Sequence, residues 1–124
     1  MAYQSFEDLE VWQRGCRLSV EIFQSFANCS YTSLKNQIER AGLSVPSNIA
    51  EGAERGGAKE FAQFLKIAKG SSGELRTQLY IAGKLNILES EKVRQLVKES
   101  KEISAMLEGL RKSVTKSKPL KLNS

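Results

Sequence analysis

The chain has 124 residues, 40% of them hydrophobic and 7% aromatic, and carries a net charge of +5. That length suits one domain able to bury a core without disulfides or metal. The absence of histidine excludes Ser-His and Cys-His nucleophilic chemistry, His-ligated zinc and the Glu-x-x-His pairs of di-iron bundles.

The first helix is expected from about Phe6 to Ala27. Ser5 followed by Asp8 has the form of a capping box, and Leu9, Trp12, Cys16, Ser19, Phe23 and Phe26 recur at helical spacing. The turn-forming NCSYTS ends it. The second helix starts near Ser33. Leu34, Ile38, Ala41, Val45, Asn48 and Gly52 keep one phase across Pro46, so the proline predicts a kink and not a break. ERGG closes this helix, with Gly56 or Gly57 free to take positive φ.

The third helix contains GSSGE (Gly70 to Glu74), which reads locally as a turn. Phe61, Ala68, Leu75 and Ala82 nevertheless stay seven apart, which predicts one helix over about Ala58 to Asn86. Ile67, Ile81 and Leu88 add a second apolar stripe, interrupted by Glu74, that serves a neighbour in the same bundle or a second copy of the chain. The fourth helix starts near Ser90, where Val93, Leu96, Ser100, Ile103, Leu107, Leu110 and Val114 form a sustained heptad. Residues 115–124, with Pro119, lose the periodicity and read as a basic, frayed tail.

Four helices with short joints predict an all-α, antiparallel up-down-up-down bundle over residues 1–114, with an open pair of helical hairpins that closes only on dimerisation as the runner-up. No apolar run is long enough to span a membrane and no charged-then-apolar leader opens the chain, so the expected location is the cytoplasm. Cys16 and Cys29 read as small buried hydrophobes. All acids lie between Glu7 and Glu108, and residues 1–110 balance them with equal numbers of Lys and Arg. The charge excess is therefore Arg111, Lys112, Lys116, Lys118 and Lys121, the candidate contacts to nucleic acid. The helical candidates after them are Arg14, Arg17, Lys59, Lys66, Lys69 and Arg76.

In this antiparallel packing the second helix puts Ser44, Ser47, Asn48 and Glu51 on one side, and the third contributes Ser71, Glu74 and Gln78. Asn48 and Glu51 are then expected to meet Ser71 and Glu74 in a polar layer, with Ala41, Gly42, Ala50, Gly52, Gly70 and Gly73 permitting close approach of the backbones. A hydrogen-bonded layer that fixes register is favoured over a proton-sharing Glu51–Glu74 pair, because no histidine or metal-ligand set accompanies the two carboxylates. Arg40 and Arg55 are placed to neutralise them. GAERGGAKE lacks the spacing of a phosphate loop and follows no strand. No aromatic stacking platform for RNA is present.

FEDLEVWQ, QIERAGLSVPSNIAEGAER and KEFAQFLKIAKGSSGELRTQLYIA together resemble the 23S rRNA intervening-sequence proteins, a four-helix-bundle family similar to the accessory protein of diversity-generating retroelements. The resemblance covers about residues 6–114. It implies a homo-oligomeric barrel, with a homopentamer expected, and association with RNA or an RNA-handling partner in a non-enzymatic role. No cofactor, metal, membrane or small-molecule substrate is implied. The motif residues carried over are Asn48, Glu51, Gly52, Arg55, Ser71, Glu74 and Leu75. NCSYTSLKNQ departs from the family's usual Pro-Glu opening of the second helix. The alternatives are a protein-interaction module without nucleic-acid binding and a carboxylate enzyme using Glu51 and Glu74.

Overall fold

The computed structural model describes residues 5–122, with side chains to residue 116. Among the described residues are four α-helices and no strand: α1 (Glu10–Ser25), α2 (Thr32–Glu54), α3 (Ala58–Lys84) and α4 (Ser90–Leu122). A single 3-10 turn, Phe6–Asp8, precedes them.

That turn corrects the expected start of the first helix. Ser5 Oγ accepts from the Glu7 N–H at 3.1 Å, and Leu9 is extended, so no capping box forms with Asp8. The turn is pinned to α1 by Gln13 Nε2 donating to the Glu7 carbonyl at 2.8 Å and by the edge-on packing of Phe6 against Trp12. The buried face of α1 also differs from the expected row. It is Val11, Gly15, Leu18, Ser19 and Ile22, continued by Phe26, while Phe23 is exposed and Leu9, Trp12 and Cys16 lie at the core margin. Both rows have helical spacing. The buried row is the one whose Gly15 packs on Val45 and the Pro46 ring of α2, atoms that a Cβ there would meet at 3.4 and 3.5 Å.

Pro46 sits inside α2 and is buried, so the helix passes through it. The missing N–H is tolerated because the ring packs against α1 at Gly15, and Gly42, the residue whose carbonyl loses its donor, has no side chain to add crowding. Gly56 takes φ +88° and turns the chain into α3. GSSGE lies within an unbroken α3. Burial of Leu65, Ala68, Ser72, Leu75 and Leu79 outweighs two unfavourable glycines of about 1 kcal/mol each. At the end of α3, Asn86 (φ +58°) donates to the Gly83 carbonyl at 3.1 Å and Ile87 to Ala82 at 3.0 Å. This is a Schellman ending with asparagine in the left-handed position.

Cross-helix contacts fix the topology. Gly15 meets Val45, and Gly42 meets Ser19. Ser44 meets Ser71, Gly52 meets Phe64, and Gly83 meets Val93. Residue numbers rise on one helix as they fall on the next, so consecutive helices run antiparallel. Lys92 reaches Glu21 at 3.5 Å and Arg14 reaches Glu99, which brings α4 back to α1 in the same sense. The core is aliphatic, with Ile22, Ile38, Ile49, Leu65, Leu75, Leu79, Leu96, Ile103 and Leu107 fully buried. Helix α4 continues past Val114, so residues 115–122 of the segment assigned to the tail have helical backbone. Among the described residues no helix is long and apolar enough to cross a membrane.

Candidate functional site

A polar layer forms between α2 and α3 from part of the expected set, Ser44, Asn48 and Ser71. Ser44 and Ser71 hydroxyls meet at 2.7 Å, and Asn48 Nδ2 donates to both the Ser44 carbonyl and hydroxyl at 2.8 Å. Glu51 and Glu74 do not join it. Both are exposed. Glu51 accepts from Arg55 Nη2 at 2.8 Å, and Glu74 makes no hydrogen bond or ion pair among the described residues. Register explains this: with Ser44 opposite Ser71 and Gly52 opposite Phe64 on antiparallel helices, Glu51 and Glu74 are displaced in opposite directions along the seam, about 15 Å apart at 1.5 Å per residue. Gln78 is half-buried with Oε1 enclosed and unpaired.

Gly52 and Arg55 mark the closest helix approach. A Cβ on Gly52 would sit 2.5 Å from Phe64 Cβ, and the Arg55 guanidinium lies 4.8 Å over the Phe64 ring. The expectation that Gly70 and Gly73 also permit backbone approach is corrected. A Cβ on Gly70 would meet nothing within 4 Å, and one on Gly73 only Arg76 Nη2 at 3.8 Å. Their faces look away from α2.

A buried serine cluster, reached by the half-buried Arg76, lies between α3 and α4. Ser72 Oγ donates to the Ser100 carbonyl at 3.0 Å, and Ser100 Oγ returns a bond to the Ser72 carbonyl at 3.0 Å. Ser104 Oγ donates to Ser72 Oγ at 2.9 Å. Arg76 Nη1 donates to Ser100 Oγ and Ser104 Oγ, both at 3.1 Å. Each hydroxyl proton therefore has an acceptor and each hydroxyl oxygen a donor. Ser72 and Ser100 already stand at core positions of the heptads. The signal for the rest is the i, i+4 spacing of Ser72 with Arg76 and of Ser100 with Ser104.

Helices α1 and α4 are tied by charge. Arg14 donates Nε to Glu99 Oε2 at 2.8 Å and Nη2 to Glu99 Oε1 at 2.6 Å, and reaches Glu102 at 2.5 Å. This pairing holds the Glu99 carboxyl below the usual range and raises the Arg14 guanidinium further. Beside it, Arg14, Cys16, Arg17, Val20, Glu21 and Glu99 line an open cleft of about 670 Å³. Cys16 and Cys29 are half-buried free thiols, and burial pushes the Cys16 thiol up, away from reactivity. Among the described residues no group of acids and cysteines could hold a metal ion.

Of the cations at the end of the chain, Arg111 is committed to Glu108 at 2.6 Å. That bond, with help from Lys69, holds the Glu108 carboxyl down at about 2. Lys112 and Lys116 are exposed and have no ion pair among the described residues. Lys118 and Lys121 lie outside the described side chains.

The profile of the 23S rRNA-intervening sequence protein family matches residues 7–109. Among solved structures, the chain is similar to a protein of unknown function from the S23 ribosomal protein family of Bacteroides thetaiotaomicron VPI-5482. The TM-score is 0.74 and the identity 22%, over 82% of this chain and 98% of that one. At that identity the likeness establishes the shared fold. No curated protein matches the sequence at a significant level.

Proposed function

The chain belongs to the 23S rRNA-intervening sequence protein family, and on that premise we propose a non-enzymatic, homo-oligomeric scaffold that associates with RNA or an RNA-handling partner. The observation that carries the assembly is the outer stripe of α3. Ile67 and Ile81 are 43% and 45% exposed within the protomer, and Leu85 at 41% extends the row. Leu88, the expected end of that stripe, packs on the protomer's own core. Three large aliphatic groups on one helix face, around a Glu74 that has no hydrogen bond or ion pair among the described residues, are the surface a second copy covers. A five-membered ring is the assembly that the family resemblance supports. RNA association draws on the family's name and on exposed lysines of α3 and α4.

The separation of Glu51 from Glu74 removes the shared-proton geometry on which the carboxylate-enzyme reading depended. Crosslinking in cells, with sequencing of the nucleic acid bound to the full chain, tests the RNA part. Recovery of defined RNA segments supports it, and a yield equal to that of an uncrosslinked control overturns it.

A further inference from the structure

The neutral body of the chain conceals a division of charge between its two helix pairs. Residues 1–57, which include α1 and α2, carry five Lys and Arg against seven acids; residues 58–116, which include α3 and α4 up to Lys116, carry twelve against seven. Three acids of the second pair turn to the first pair, and a fourth is neutralised within its own. Glu99 and Glu102 turn to Arg14 of α1, Glu60 lies 4.0 Å from Arg55, and Glu108 is held by Arg111 and Lys69. Lys66, Lys84, Lys98, Lys101 and Lys112 are exposed and have no ion pair among the described residues.

Helical spacing gathers these lysines along the outer α3–α4 seam. Lys66, Gly73 and Lys84 share one face of α3, and Lys98, Lys101, Ala105 and Lys112 share one face of α4. The Lys69–Glu108 and Ser72–Ser100 contacts set the two rows side by side. Gly73 and Ala105 at mid-length have no long side chains, so the seam is shallow there. A rod-like ligand can approach the backbone between the flanking lysines.

Arg76 stands at the centre of that seam. Arg14, Arg55, Arg94 and Arg111 each hold a carboxylate within 2.8 Å, and Arg76 holds none. It is half-buried. Nη1 is fixed by Ser100 and Ser104, while Nε and Nη2 make no hydrogen bond among the described residues. Nη2 lies on the Gly73 side, 3.8 Å from where a Cβ would be. A planar guanidinium anchored through one nitrogen, with its Nε–Nη2 edge unclaimed, suits a two-oxygen acceptor such as a phosphodiester. The small residue at Gly73 leaves room for that acceptor.

We infer that the α3–α4 seam is a binding surface for the phosphodiester backbone of RNA, with Arg76 as its fixed anion contact and Lys66, Lys98, Lys101 and Lys112 as its flanking charges. The inference rests on the RNA reading above and moves the main contact from the end of the chain to the helices. Ile67 and Ile81 lie on the α2 side of α3, so this seam stays open when that stripe is covered. Recognition is of backbone and not of base sequence, since no stacking platform accompanies the charges.

The test is fluorescence anisotropy of a fluorescein-labelled oligouridylate titrated with the full chain at several salt concentrations. Lys66→Glu with Lys101→Glu leaves the serine cluster intact and keeps the fold. Arg76→Gln is measured beside it, and Arg40→Gln on α2 is the control. The expected result is at least a tenfold loss in the double variant and a weaker loss in Arg76→Gln. The slope of log affinity against log salt should fall by roughly 0.7 for each phosphate contact removed. Arg40→Gln should bind as the parent does. Equal binding by the double variant and the parent, or an equal loss in Arg40→Gln, overturns the seam and leaves RNA association standing. Inorganic polyphosphate as a second probe separates the two ideas. Polyphosphate binding that both the double variant and Arg76→Gln lose, with no oligouridylate binding by the parent, retains the seam as an anion site and removes RNA. Binding to neither probe overturns both.

Discussion

At the scale of single residues, the two serine clusters are predicted to behave differently. Ser72→Ala removes an acceptor for Ser104 and a donor to the Ser100 carbonyl at a fully buried position. The expected cost is about 1–3 kcal/mol in urea unfolding. Asn48→Ala removes bonds made within its own helix by a half-buried side chain. Solvent reaches that position, so the cost should be below about 1 kcal/mol. Equal losses would place the register-fixing polar groups at the α2–α3 seam after all. The sequence shows which small polar residues stand at core positions; it does not show which of two seams encloses them. Glu51 stands seven residues from Ser44 and so on nearly the same face, but the antiparallel register carries it away from Glu74, and spacing within one helix does not fix that register.

The acid dependence belongs to the same scale. Glu99 has its pKa lowered by Arg14, so the pair stabilises the fold above the carboxylate's unfolded value near 4.5. That contribution is lost as pH falls through the lower folded value. Unfolding midpoints should therefore drop as the pH falls below about 4.5. In Arg14→Gln the drop should be shallower, because the carboxyl then titrates nearly alike in both states. A drop of equal size in the variant would assign the acid sensitivity to other carboxylates.

For whole elements, the glycines of α2 and α3 separate by what surrounds them. Gly52→Ala forces a methyl to within 2.5 Å of Phe64 Cβ, so the two helices must move apart. The expected loss is about 1–3 kcal/mol. Gly70→Ala meets nothing within 4 Å in mid-helix and should gain about 0.5–1 kcal/mol from helix propensity alone. Thermal melts of the two variants should shift in opposite directions. Shifts of the same sign would mean that the α2–α3 approach is looser than the Phe64 contact shows. The sequence reads alike at both sites, since a glycine in a periodic run marks either close packing or an open surface. Phase carried further. The seven-residue spacing across GSSGE and the conserved phase across Pro46 gave continuous helices where local propensity favours breaks. The face of α1 was legible only once Gly15 and Pro46 were seen in contact, which is a pairing between distant positions and leaves no periodic trace.

For the whole molecule, the question is which surfaces are finished in one protomer. The inner faces of all four helices meet in one aliphatic core, and the polar groups enclosed there are nearly all paired; Gln78 Oε1 is the unpaired atom among the described side chains. The outer stripe of α3 is different. Ile67, Ile81 and Leu85 remain exposed at positions where the opposite flank of the same helix carries lysines and glycines. That asymmetry is costly for a free monomer and ordinary for a ring, whose subunits each present one face to a neighbour. Light scattering of the full chain at micromolar concentration should give about 69 kDa, five chains of 13.8 kDa. Ile67→Asp with Ile81→Asp places two charges on that stripe. Neither residue belongs to the protomer core, so helical content and the cooperativity of melting should persist while the mass falls toward one chain. A parent of 13.8 kDa would leave the stripe without a copy to cover it. An oligomer unchanged by the double substitution would place the subunit contact on another face, with the exposed Val20, Phe23 and Leu43 of α1 and α2 the next surface to alter.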